Sequence, residues 1–328
     1  MARTGVSETA SGNESLGQPA ERSEAAGKSC VADETSTKLF IDAHKESIER
    51  DRGDITKNME AMGDDRQGIK TSRDAMSANN QVINELLQYG HVRPETIERR
   101  RGMLTAGISS DQTDIQGSQE YAGIQPPDAK AVASGLQQAQ SIERLAKELS
   151  GSVTPERRTA ILSEMLSAAG DIEKLGVGDK ATIGKDASDA GKEATTISTD
   201  VRMLQSLGAN CGDSKYLNDI RSKASLITRE LGDIKDEQGY IAHDSRDMTS
   251  NYFVSRALDR LPTSGQLPWA QTAELIKIFQ QDNQSKRETI SLRRDDLKAE
   301  PDYNRADAKD IRINQQLLSG FDKNIYGK

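Results

Sequence analysis

Seven consecutive positions spaced seven residues apart carry isoleucine or methionine: Ile41, Ile48, Ile55, Met62, Ile69, Met76 and Ile83. The residues between them are almost all polar. A seven-residue period keeps one seam of an α-helix against a partner helix, because 3.5 residues per turn matches a slow supercoil. The spacing therefore predicts a helix over 37–89 lying lengthwise against other helices. With Ile41 at position a, position d holds His44, Asp51, Asn58, Asp65, Ser72, Asn79 and Leu86. A seam apolar at a and polar at d is a weak dimer zipper. Gly53, Gly63 and Gly68 each cost ~1 kcal/mol relative to alanine inside a helix. Such a helix needs neighbours to persist.

Composition points the same way. Apolar residues make up 34% and aromatics 4% of 328 residues, with four Phe, seven Tyr and one Trp. So few rings cannot fill a thick globular core, whereas a thin bundle buries only a narrow stripe of each helix. The expectation is an all-α protein: an elongated helical bundle with a long antiparallel coiled-coil hairpin and a disordered N-terminal tail. A net charge of −8 repels phosphate backbones, so duplex nucleic acid is not an expected partner. No stretch approaches the ~20 apolar residues of a membrane span, and the N-terminus lacks the pattern of a cleaved secretory signal. Cys30 and Cys211 sit in unrelated contexts with no metal-ligand spacing.

Punctuation divides the chain into 1–36, a disordered tail; 37–106, the heptad helix plus a short helix; and 107–128, a linker carrying Gly107, Gly117, Gly123 and Pro126-Pro127. A helical pair follows over 129–178, where Thr154-Pro155 reads as an N-cap followed by a first-turn proline. Over 179–260, Ile183, Ala187, Ala190, Ala194, Ile197, Val201 and Leu204 alternate spacings of four and three. Leu217, Ile220, Ala224, Ile227, Leu231, Ile234, Gln238, Ile241, Ser245, Met248 and Tyr252 repeat that spacing. Two such seams joined by a short turn predict an αα-hairpin. C-terminal helices fill 261–328, one starting at Trp269 and interrupted by Pro301.

Three segments carry resemblances. The polar, Ser/Thr-rich residues 1–36 resemble the uncleaved export signals of bacterial type III secretion substrates. An acidic tail, a central coiled coil and a downstream helical region resemble the layout of viral phosphoproteins. Asparagine at d beneath an apolar a residue (Ile55 with Asn58, Met76 with Asn79) resembles layers of trimeric bacterial coiled coils in which inward amides hold an anion.

Recognisable reaction chemistry is absent from the sequence. His44, His91 and His243 are too scattered for a metal site built on imidazole, although His44 falls on the seam, where a buried histidine can act as a pH switch. Its simpler reading is a partly exposed polar layer. Cys211 lacks a recognisable histidine partner, and Gly176-Val177-Gly178-Asp179-Lys180 lacks the spacing of a phosphate loop. Arg99, Arg100, Arg101 and Arg202 are the only handle for action on a regulatory GTPase, and they read more simply as solvated helix faces. No catalytic, cofactor or metal residue is assigned. The expected function is a non-catalytic protein acting through other proteins, or through self-association by its helical seams. It would be a type III-like secreted virulence factor or, alternatively, a phosphoprotein-like oligomeric adaptor or a GTPase-directed effector. The location would be outside the cell without a cleaved signal peptide, or cytoplasmic.

Overall fold

The computed structural model describes residues 34–178, 180–207 and 213–325. The expected tail and both cysteines therefore lie outside the described residues, except that 34–36 already belong to the first helix. The described residues contain helices, turns and no strand. None of their helices is long and apolar enough to cross a membrane.

The heptad segment forms α1, Glu34–Tyr89, and Gly90 turns the chain with φ 70°. The helix α2 then runs over Pro94–Ala122, with proline in its first turn, which corrects the reading of 107–128 as a linker. Glycine there does not break the helix. A Cβ on Gly107 would lie 3.6 Å from the Asn251 amide nitrogen, and only Gly123, at φ 89°, ends the element.

Two short helices follow. Asp128 caps α3, Ala129–Leu149, by accepting from the Lys130 and Ala131 amides at 2.9 and 2.8 Å. Thr154 caps α4, Pro155–Glu173, as its Thr-Pro sequence predicts. A 3₁₀ turn at Lys174–Gly176 and the one-turn α5, Lys180–Ile183, lead into α6, Lys185–Leu207. Beyond residues 208–212, which lie outside the described set, come α7, Ser214–Asp259, and α8, Trp269–Ile325. Pro301 lies inside α8 without ending it, which corrects the expected interruption: Trp269–Ile325 is one helix. A mid-helix proline costs about 3 kcal/mol, which the packing of α8 along α1 on both sides of the proline can offset.

The packing closes a ring of four columns: α1 on α8, α8 on α7, and α7 on a split column of α2 and α6 that returns to α1. Helical rise gives about 84 Å for α1 and about 86 Å for α8, against about 78 Å for α2 plus α6. Two glycines at φ 89° make the junction in the split column. A Cβ on Gly123 would lie 2.5 Å from the Gly184 amide nitrogen, and one on Gly184 would lie 2.5 Å from that of Gly123. The Gln125 amide also donates to the Thr182 carbonyl at 2.8 Å. The α3–α4 pair is thus an excursion between two ends that meet, covering α7 and α6 from outside.

Along α6 and α7, Asp200 and Asp219 meet at His44, while Glu193 meets Lys223 at 3.4 Å. These pairs run in opposite order, so α6 and α7 lie antiparallel where they meet. The alanine seam of α6 is buried, as are the seam residues Leu217, Ile220, Ala224, Ile227, Leu231 and Ile234 of α7. Farther along α7 the expected seam is wrong: Gln238, Ser245 and Tyr252 are exposed, while His243, Asp244, Asp247 and Asn251 face inward. The inward face is held there by ionic and hydrogen-bonded partners on α2 and α8, so hydropathy marks the wrong side.

Apolar packing is concentrated in two clusters. One joins Phe40, α3, α4, α6, the first half of α7 and Leu317; the other joins the end of α1, the start of α2, the end of α7 and the start of α8. Between them the inward positions are mostly charged.

Candidate functional site: an acidic slot between two apolar ends

The polar d positions of α1 turn inward. His44, Asp51, Ser72 and Asn79 are buried, whereas a positions Ile41, Ile55, Met62, Met76 and Ile83 are only half-buried. Asn58 donates to Asn304 at 3.2 Å, and Asn79 donates to Asp282 and Asn283 at 2.7 and 2.9 Å. The asparagine layers that resemble anion-binding coiled coils are therefore occupied within the chain.

Midway along the bundle all four columns line an open cavity of about 480 Å³. Its walls carry fifteen Asp and Glu side chains against two lysines and two arginines. Part of that charge is paired. Lys185 bonds Asp54, Arg229 bonds Asp307 at 2.8 Å, and Arg293 spans Asp65 at 3.2 Å and Asp114. Tyr240 donates to Asp296, and Tyr303 to Asp233 at 3.3 Å. Lys57 also pairs with Glu120 at 2.6 Å, and Lys185 and Lys192 with Asp189, but three oxygens have no hydrogen-bond partner: Asp186 Oδ2 and Glu230 Oε2, on side chains more than nine-tenths buried, and Glu300 Oε2.

Burial first, and neighbouring carboxylates second, push these acids up. Glu300 rises to about 7, with Asp65 and Asp296 adding to the burial effect. Asp244 rises to about 7 through burial and Asp114. Burial carries Glu237 to about 7 against a hydrogen bond from Ser118, and Asp233 to about 6 against the pull of Arg229. Asp186 and Glu230 are driven well above the usual carboxylate range by burial and by like charges.

These shifts fix a sign. Folded-state pKa values above the unfolded value of about 4 mean that the folded chain holds more protons between pH 4 and 8. Their stabilisation is complete below the unfolded pKa and is lost as pH rises through 6 to 8. The melting temperature should accordingly be higher at pH 5.5 than at pH 8, by roughly 5–10 °C for a few kcal/mol of relief. A flat profile between these values would contradict the slot's charge balance.

Other residues singled out by sequence are dispersed. Arg100 is fully buried, donating to Asn79 Oδ1 at 2.6 Å and Asp282 at 2.7 Å, which corrects its reading as part of a solvated face. Arg99, Arg101 and Arg202 are exposed, so the arginine set behind the GTPase reading loses its middle member. His91 accompanies the α1–α2 turn, and buried His243 pairs with Thr289 at 3.0 Å. Gly176 ends the 3₁₀ turn, with Asp179 and Cys211 outside the described residues.

His44 has no exposed surface, contrary to the partly exposed layer expected. Its Nδ1 lies 2.7 Å from the Phe40 carbonyl oxygen, which can only accept, so Nδ1 carries the hydrogen. Nε2 faces Asp219 at 3.2 Å and Asp200 at 3.5 Å, both fully buried. The Phe40 ring stacks on the imidazole at 3.9 Å.

The signal for the slot is present in the sequence, carried by polar residues. Arg100, Leu104, Gly107, Asp111, Asp114, Ser118 and Tyr121 alternate spacings of four and three. So do Asp233, Glu237, Tyr240, Asp244 and Asp247, and Arg293, Asp296, Glu300, Tyr303, Asp307 and Asp310. No protein-family model matches the chain, and no characterised protein or solved structure is significantly similar to it.

Proposed function

We propose that this is a non-catalytic binding protein whose bundle takes a small polyammonium ligand in the acidic slot. The excess of fifteen carboxylates over four cationic side chains, with buried carboxylate oxygens left unpartnered, is the observation that carries it. The slot's α1 wall runs from Asp54 to Asp65, about 17 Å by helical rise. That length suits ammonium groups strung on methylene chains. Tyr240 lines the same space, and aromatic faces attract cations; Tyr121 and Tyr303 already do so with Lys57, Lys185 and Arg229. A binding role explains why the acids remain: their mutual repulsion is what a polycation relieves. Lysine side chains on a partner protein carry the same chemistry, which connects the slot to the expected role in protein contacts.

The test pairs calorimetry with thermal melting at pH 8, using spermidine, a tetralysine peptide and magnesium at equal charge. Spermidine should bind and raise the melting temperature more than magnesium does. Glu237→Gln and Glu300→Gln should each raise the melting temperature of the free protein while weakening spermidine binding about tenfold, the effect of one charge pair worth ~1.4 kcal/mol. Preference for tetralysine would place the ammonium groups on a protein partner. Equal responses to all three cations would reduce the slot to non-specific screening and remove the reading. Export through a type III apparatus is a separate proposal that rests on residues 1–36. A reporter fused to that segment tests it, and lack of export would count against it.

A further inference from the structure

We propose that His44, Asp200 and Asp219 form a structural site for a divalent transition-metal ion, zinc foremost, inside the apolar end of the bundle. The three donor atoms lie within 4.8 Å of one another on α1, α6 and α7, and all three side chains are fully buried. Donor spacing leaves room for a shared ion: the contact to Asp219 is at the long end of a hydrogen bond and the one to Asp200 is at 3.5 Å. A charge-assisted N–H···O contact closes to about 2.7–2.9 Å, whereas Nε2 stands 3.2 and 3.5 Å from the two carboxylates. Bonds of about 2.0–2.1 Å in a tetrahedral shell place ligands about 3.3–3.4 Å apart, close to the two distances from Nε2, with all three donors within 4.8 Å of one another.

The imidazole is also prepared as a ligand. With Nδ1 donating to the Phe40 carbonyl, Nε2 is the nitrogen turned to the carboxylates and available to a metal, the orientation that outer-shell partners impose on metal-bound histidines. Asp200 has no hydrogen-bond donor from outside the cluster: its oxygens face only Asp219, with which it can share a proton, and His44, and Asp219 Oδ1 likewise lacks an outside donor. Isolated buried carboxylate oxygens are costly unless paired or coordinated. The neighbouring cation does not supply the need: Lys223 Nζ bonds Ser47 at 2.6 Å and Asp310, and lies 3.4 Å from Glu193. One imidazole with two carboxylates suits a borderline ion such as zinc better than calcium or magnesium, which prefer all-oxygen shells. Because the ligands come from three columns, the ion would tie α1 to the α6–α7 pair. Counting histidines in the sequence misses this site, since two of its ligands are aspartates more than 150 positions from His44.

The experiment uses the full chain, stripped with EDTA, equilibrated with zinc or cobalt(II) alone and freed of excess. About one equivalent of zinc per chain should be retained, with a higher melting temperature, and cobalt should give the intense visible bands of a four-coordinate site. His44→Gln and Asp200→Asn should each lose the retained equivalent and the bands while keeping the helical circular dichroism. Failure of the wild-type chain to retain zinc would overturn the proposal. So would retention unchanged in both variants, which would place the ion in the acidic slot. Should both variants fail to fold, the cobalt spectrum decides: only weak six-coordinate absorption would overturn it. The slot proposal is read by polyamine binding and stands or falls separately.

Discussion

Arg100→Ala is expected to lower the melting temperature by about 4–8 °C, while Arg99→Ala and Arg101→Ala shift it by no more than about 2 °C. Removing one partner of a buried ion pair costs about 3–5 kcal/mol, because the remaining charge is left desolvated and alone. Arg100 is such a partner: its guanidinium reaches Asn79 and Asp282, both fully buried, where α1, α2 and α8 converge. Asn79 in turn donates to Asp282 and Asn283, so truncation strands a network as well as one carboxylate. Arg101, by contrast, makes exposed pairs with Glu98 and Asp259, the kind worth at most about 1 kcal/mol. Thermal melts of the three variants check this ordering. Equal effects would mean that α2 does not present Arg100 to the interior.

Gly184→Ala should destabilise the protein by about 3 kcal/mol or more, and Gly123→Ala by a similar amount. Each occupies φ 89°, a region that costs a side chain roughly 1–3 kcal/mol. Each would also push its Cβ into the opposing backbone, toward the Tyr121 and Thr182 carbonyl oxygens respectively. Backbone cannot swing aside as a flexible side chain can. Gly117→Ala supplies the opposite sign. Its Cβ would meet nothing within 4 Å in the same helix, so replacement should stabilise by about 0.5–1 kcal/mol through helix propensity. Denaturant titration of the three variants distinguishes a strained junction from general intolerance of alanine. A neutral Gly184→Ala would refute the abutment of α2 and α6.

Much of the secondary structure is legible in the residues. The period of α1, the Thr154-Pro155 start of α4, the alanine seam of α6 and the start of α8 at Trp269 follow from local rules. Where reading by hydropathy fails, it fails for one reason. In α2, Asp111 bonds Asn251 and Asp114 bonds Arg293, so inward positions look like surface ones. In the second half of α7, Asp247 pairs with Lys286 and His243 with Thr289, with the same result. The slot was hidden by the same substitution of charge for apolar bulk. His44 was visible as an oddity on the seam, but its ligand-like neighbours were not.

Local chemistry alone determined that this chain is helical, where most helices begin, and that α1 must lie along neighbours, because periodicity and capping act within a few residues of each other. Only the tertiary structure decided which polar positions point inward, that α2 and α6 share one column through two glycines, and that the middle of the bundle collects acid. Those outcomes depend on partners about 60 to 230 positions away, as with Gly123–Gly184, Asp111–Asn251 and Asp65–Arg293. A charged side chain reads as surface until the residue that neutralises it, or fails to, is brought beside it.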